Sequence, residues 1–267
     1  MNLESLFELT GESAILSVGG LLIGAAFGAF AQASKFCLRS AVIEFSQGLL
    51  GSKVAIWLLA FAAAVAATQA AIALGLLDVA GARQLAARGS LSGSIIGGLM
   101  FGAGMILARG CASRLLVLSA TGNLRALVSG LVLTIVAQTS LRGMLSPVRE
   151  MLSELWTVPG GQARNLLSSI NGGPLLGLWL GLIWLACGLW LARRARIGGV
   201  VGASAVGVGL AVAAGWIFTY AVSQSSFSPV QIKSISFTGP SADTLMGLIN
   251  STSLPLVFDT GLVPGVF

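Results

Sequence analysis

Two short stretches of the chain set a thiol among cations. Lys35, Cys37 and Arg39 lie together in "QASKFCLRS", and Arg109, Cys111 and Arg114 in "MILARGCASRLLVLSATGN". Each stretch follows a glycine-rich apolar run, so the two look matched. A thiol beside cations at a helix start ionises more readily than a free one. A thiolate, however, repels an arriving anion, whereas a neutral S–H donates it a weak hydrogen bond. Weak donors suit a passage, because conduction needs binding loose enough to release. Sulfur donors also suit a soft, sulfur-bearing anion better than a hard one.

Gly110 stands at a break just before Cys111. A short helix beginning there aims unpaired backbone N–H groups and a partial positive charge at its surroundings, which makes a ready anion site. Arg109 and Arg114 add charge, and charged groups at membrane depth are costly enough to be functional candidates. Cys187, in "LIWLACGLWLARR", has no break or polar neighbour. It reads as a small buried apolar residue.

The elements that must position these residues are membrane helices. The chain has 267 residues, 55% of them hydrophobic and only 9% charged, against about 25% charged in a soluble domain. Apolar runs near the bilayer-crossing length recur along it, without the period-two alternation of a transmembrane barrel. The fold class is all-α, integral to the membrane. The net charge of +6 comes from residues between spans, so it reads as membrane anchoring and topology rather than nucleic-acid binding. There is no histidine, which removes His-based zinc sites and Ser-His or Cys-His catalysis. The three cysteines have no CxxC spacing, which argues against a disulfide framework or metal cluster. No cofactor motif is present. The acidic start "MNLESLFELTGES" lacks the basic region of a cleavable signal peptide.

Spans are expected at about 13–33, 53–76, 91–108, 124–141, 174–192 and 199–222, with a seventh beginning near Phe258. Three apolar segments are too short to cross: "FCLRSAVIEFSQGLL", "CASRLLVLSA" and "GPSADTLMGLI". They read as re-entrant half-helices, whose broken backbone is tolerated only against protein or a water-filled cavity. "ARRARIGG" is the clearest cytoplasmic loop, and counting back from it puts the N-terminus outside, beside Glu4, Glu8 and Glu12. Lys35, Arg39, Lys53, Arg109, Arg114 and Arg125 then fall toward the inside; Arg83, Arg88, Arg142, Arg149 and Arg164 do not follow that bias. Spans one and two surround a half-helix, and so do spans three and four. Span five is the odd element, after which the pattern returns inverted. Residues 1–267 thus form one transport domain: a first repeat at about 13–141, a connecting span at about 174–192 and a partial second repeat at about 199–267. Inverted repeats with discontinuous helices are a transporter signature. Gly20, Gly24 and Gly28, and likewise Gly98, Gly102 and Gly104, are expected at close helix contacts. Glu44, Asp243 and Asp259 read as interfacial or helix-capping groups.

The blocks "GAFAQASKFCLRSAV", "GGLMFGAGMILARGCASRLLVLSATGNLRAL", "SFTGPSADTLMGL" and "FDTGLVPGVF" resemble the YeeE/YedE family of sulphur-transport membrane proteins. The resemblance implies a permease for thiosulfate or a related sulfur anion in the bacterial inner membrane. It also implies a nine-span inverted-repeat fold, of which six to seven spans fall within this chain. Its short helices meet at a constriction where cysteines relay the anion by S–H hydrogen bonds. Cys37 matches the first such cysteine and Cys111 the central one. The family's third lies in a second Gly-Cys block with no counterpart before Phe267, and Cys187 does not match it. The expectation is therefore that further chain, or another polypeptide, completes the fold and that residues 1–267 alone transport nothing. Expected partners are the sulfur anion, membrane lipid and a cytoplasmic sulfur-carrier protein. The competing readings are a membrane thiol enzyme handling sulfane sulfur or selenium compounds on Cys111, for which a carboxylate pair and cofactor motif are missing, and a membrane scaffold, which leaves the cation-flanked cysteines unexplained.

Overall fold

The computed structural model describes residues 11–161, 172–226, 229–250 and 257–267. Six long helices carry the expected spans: α1 (Glu12–Ser34), α3 (Ser52–Ala73), α5 (Leu91–Leu107), α7 (Leu124–Arg142), α9 (Pro174–Arg194) and α10 (Gly199–Ser225). Among the described residues six helical segments are long and apolar enough to cross a membrane, the first and third of them, 12–46 and 91–120, running through α2 and α6. The short segments are helices too: α2 (Leu38–Ser46) after α1, α6 (Ala112–Ala120) after α5, α11 (Thr238–Asn250) after α10, and α12 (Phe258–Val266). A one-turn helix, α4 (Arg83–Ala86), and an extramembrane-type helix, α8 (Ser146–Glu154), complete the described elements. Strands β1 (Gly89–Ser90) and β2 (Thr157–Val158) pair antiparallel, with Gly89 opposite Val158. The protein is an all-α, multi-pass membrane protein.

Helix directions follow from which residues meet. α1 and α12 run parallel, since Gly20 faces Phe258, Gly24 faces Leu262 and Gly28 faces Val266. These backbones approach so closely that a Cβ on Gly261 would stand 1.8 Å from the Ser17 carbonyl oxygen; only glycine fits there. α1 runs antiparallel to α10, with Gly19 on Phe218 and Gly207 on Phe30. α9 runs antiparallel to α3, with Gly181 on Ala66 and Gly188 on Leu59.

The first span's glycines therefore act as expected. Those of the third do not. A Cβ on Gly98, Gly102 or Gly104 would meet nothing within 4 Å. The reason is where α5 docks. Its contacts gather at its N-terminal end, where Ser90 Oγ donates to the Ser153 carbonyl at 2.5 Å and Ser92 Oγ to the Leu152 carbonyl at 2.8 Å. The rest of the helix shows its apolar side outward, with Leu99, Met100 and Leu107 exposed, as a lipid-facing helix does.

The core closes where the short helices meet the long ones. Phe27 and Ala31 of α1, Val117 of α6, Val208 and Ala211 of α10 and Val266 of α12 form one buried cluster. Phe36, just before α2, and Phe237, just before α11, pack on it; the Phe27 and Phe237 ring centroids are 5.0 Å apart.

Two of the three expected structural carboxylates have plain roles. Glu44, in α2, accepts the Val54 N–H at 2.7 Å with Oε2, satisfying an orphan donor in the first turn of α3. Asp243 pairs with Arg142 at 3.3 Å across α11 and α7. Glu44→Ala removes that acceptor and should cost about 1 kcal/mol of stability. The check is a thermal melt in detergent, with anion uptake at matched expression staying near wild type.

Candidate functional site

The two cation–thiol stretches fold the same way. α1 ends at Lys35, which adopts left-handed backbone with φ 53° and ψ 37°. Phe36 N–H returns to the Ala31 carbonyl at 3.0 Å, the six-to-one bond of a Schellman ending. Cys37 then becomes the N-cap of α2, a helix of nine residues. At the second stretch Arg109 is left-handed, with φ 60°. Gly110 follows, and Cys111 is the N-cap of α6, again nine residues long. The break therefore falls on Arg109 and not on Gly110, which is buried and lies outside the left-handed region. Placing a non-glycine residue there costs on the order of 1 kcal/mol. A cation at a helix C-terminus offsets part of that by complementing the dipole.

A third ending provides an internal control. Arg196 is also left-handed, with φ 50°, and closes α9. Two residues later the N-cap is Gly198, and the helix that follows is the 27-residue α10. Cysteine occupies the N-cap only where the next helix is short.

Neither thiol caps its helix with a side-chain hydrogen bond. This contrasts with Ser90, whose hydroxyl accepts from Gly93 N–H at 2.8 Å, and Asn123, whose carbonyl accepts from Ala126 N–H at 3.1 Å. Oxygen acceptors cap α5 and α7; at α2 and α6 a poor acceptor leaves first-turn N–H groups without one. Cys111 Sγ instead lies 3.2 Å from Ser113 Oγ, two residues into α6. Both thiols are free and half-buried.

The cations divide into two kinds. Lys35 and Arg109, at the left-handed positions, are exposed. Arg39 and Arg114, inside the first turns of α2 and α6, are half-buried, and Nε of Arg39 and one terminal nitrogen of Arg114 are buried without a hydrogen-bond partner. A buried donor left unsatisfied costs roughly 1–3 kcal/mol, so each keeps an N–H free to donate to an acceptor. The first turn of α6 reaches the other break directly: Phe36, Ser113 and Arg114 line one void with Phe27, Ala31 and Val117, and it holds no space for a water. The two breaks thus meet in tight packing here, with Phe27, Ala31, Phe36 and Val117 around Ser113 and Arg114. Cys187 sits apart, exposed on the outer side of α9 rather than buried as its apolar setting suggested.

A family model described as sulphur transport matches residues 33–267, which takes in both thiol breaks, α11 and α12. The chain belongs to this family. No curated protein matches it. The sulphur-transport family assignment and the six membrane-length helices together make this a sulfur-related membrane transporter.

One pair is brought together by the fold with no motif to mark it in the sequence. Lys233, in the extended segment before α11, holds Asp259 of α12 at 2.5 Å, with both side chains largely buried. A signal existed: Lys233 is the only cation after Arg196 in the sequence, and Asp243 and Asp259 are the only acids there.

Proposed function

We propose that this protein is an inner-membrane permease of a bacterium that carries thiosulfate or a related sulfur anion. The anion passes a constriction where Cys111, and then Cys37, donate S–H hydrogen bonds to it. The carrying observation is the repeated break: a left-handed cation, one spacer, an N-cap cysteine and a nine-residue helix, twice. The uncapped N–H groups and buried unpaired guanidinium nitrogens of Arg39 and Arg114 supply positive charge for the anion. Lys35 and Arg109 add positive charge at the cytoplasmic side of the breaks, and Gly110 is the spacer before Cys111. The apolar void between Phe36 and Arg114 is the closed gate that the anion must open.

In this reading α2, α6 and α11 are re-entrant half-helices of two inverted repeats within one transport domain. The antiparallel packing of α1 on α10 supports that relation, since these helices open the two repeats. Arg193, Arg194 and Arg196 mark the cytoplasmic side, where a sulfur-carrier protein would receive the anion.

Cells lacking other thiosulfate uptake test this reading. Expression of the native gene should restore uptake of labelled thiosulfate; no uptake above the empty vector contradicts it. Cys37→Ser refines the test. Serine is a good N-cap and should stabilise α2 by about 0.5–1 kcal/mol. Its hydroxyl also binds an anion more firmly than a thiol, so release slows. The expected result is a higher melting temperature with reduced but measurable uptake. Wild-type uptake in this variant would remove Cys37 from the passage.

A further inference from the structure

Among the described acids in or near membrane-depth segments, Glu44 serves as a cap and Asp243 pairs with Arg142 at side chains 39% and 69% exposed. Asp259 is unlike both. Its side chain is 14% exposed, that of its partner Lys233 is 24% exposed, and the bond between Nζ and Oδ2 is 2.5 Å. Its second oxygen, Oδ1, is buried with no hydrogen-bond partner; Oδ1 of Asp243 also lacks a hydrogen bond but has Arg142 at 3.3 Å.

The backbone around the pair places it below the end of α10. Thr219 Oγ1 accepts from Lys233 N–H at 3.1 Å and donates to the Lys233 carbonyl at 2.6 Å. Thr219 lies six residues before the last residue of α10, Ser225, or about 9 Å down the helix. Ser234 Oγ donates to the Val212 carbonyl at 2.5 Å, deeper still. Four residues after Lys233, Phe237 rests on Phe27 at the closed constriction. On the other side Lys233 opens into a cavity of about 380 Å³, shared with Glu12, Ser13, Gln231 and Phe258. A single water takes about 30 Å³ of liquid volume, so the cavity has room for a small anion and its waters. Lys233 thus lines the cavity on one side, with its partner Asp259 next to the lining residue Phe258, while the chain four residues on reaches the constriction.

A buried ion pair that loses one partner leaves an uncompensated charge, at a cost of about 3–5 kcal/mol. The pair can therefore open only if both members are satisfied at once. Lys233 needs another anion, and Asp259 needs a proton. We propose that Lys233 and Asp259 form an anion–proton exchange pair on the approach to the constriction: an arriving oxyanion replaces the Asp259 carboxylate on Lys233 Nζ as Asp259 binds one proton. This rests on the permease reading. An O–H bond forms at Asp259, the proton coming from hydrated protons in the cavity; as the anion leaves Lys233 for the constriction that O–H bond breaks, the proton departs on the anion, and the Asp259 carboxylate returns to Lys233 Nζ. No other covalent bond of the anion changes, and each anion that passes brings a proton. The other titratable or charged groups on elements packed against the pair, among the described residues, are Glu12 of α1, bonded to Ser226, Tyr220 of α10, Asp243 of α11, paired with Arg142, and Cys111 and Arg114 of α6. None of these replaces Asp259 as the partner of Lys233.

The test uses right-side-out membrane vesicles from cells expressing the protein, loaded with a pH-sensitive dye. The potential is clamped at zero by valinomycin with equal potassium on both sides. Added thiosulfate should acidify the interior in step with uptake of label. An inward gradient of one pH unit should support up to about tenfold accumulation per coupled proton. The double variant Asp259→Asn with Lys233→Gln strands no charge; it should take up thiosulfate with weakened apparent affinity, without acidification and without stimulation by external acid. Asp259→Glu should keep the coupling. Wild-type uptake without acidification overturns the proposal while leaving the permease intact, whatever the variants do. Coupling that persists in the double variant also overturns it. Wild-type vesicles that take up no thiosulfate refute the permease reading, and this proposal falls with it.

Discussion

Cells that depend on this protein for sulfur should stop growing on thiosulfate when Cys111 is replaced by alanine, and should grow normally when Cys187 is. The difference lies in where the two thiols stand. Cys111 is the N-cap of α6, beside a left-handed arginine and 3.2 Å from the Ser113 hydroxyl. Cys187 is exposed on the outer side of a plain apolar helix. Alanine at Cys111 removes the S–H donor without filling the passage, so a folded, inactive protein is the expected product. Growth rate and direct uptake at matched membrane abundance check this. Equal defects in both variants would remove Cys111 from the passage.

Arg114→Gln should weaken the apparent affinity for the anion by about tenfold to a hundredfold without lowering the melting temperature. One terminal nitrogen of Arg114 is buried and unpaired. Hydrogen bonds to charged groups are worth about 1.5–3 kcal/mol, and a buried donor without a partner is itself a cost to the folded state. Removing it therefore takes binding energy from the anion while sparing the fold. A residue that served structure alone would give the opposite split: lower melting temperature and unchanged affinity. The pair of measurements separates the two roles in one variant.

The spans were legible because hydropathy over twenty residues is a strong signal. All six long helices begin within a residue of where the apolar runs begin, and the starts of α2 and α6 were marked by their cysteines and cations. Details set by three-dimensional approach were less legible. Gly110 looked like the hinge because glycine adopts left-handed backbone freely, yet the hinge residue is Arg109, as Lys35 is at the other break. Both breaks keep the same order of left-handed cation, spacer and N-cap cysteine, and a cation at a helix C-terminus gains tenths of a kcal/mol to about one from the dipole. The glycines of α1 and α5 are spaced alike, but only those of α1 meet a partner, because α12 lies along α1 and no described helix lies along that face of α5. Spacing says that a face is flat; it does not say what covers it. The Lys233–Asp259 pair joins residues 26 apart, and Lys233 lies in an extended segment with no periodicity to read.

The central claim is that a sulfur anion touches the thiol at the α6 break. Alkylation of Cys111 by a maleimide, in membranes with Cys187 as the internal reference, tests it most directly. Thiosulfate should slow labelling of Cys111 in proportion to its occupancy of the passage and leave Cys187 unaffected, and sulfate at the same concentration should protect far less. Cys111 labelling that proceeds at the same rate relative to Cys187 with and without thiosulfate would contradict the account.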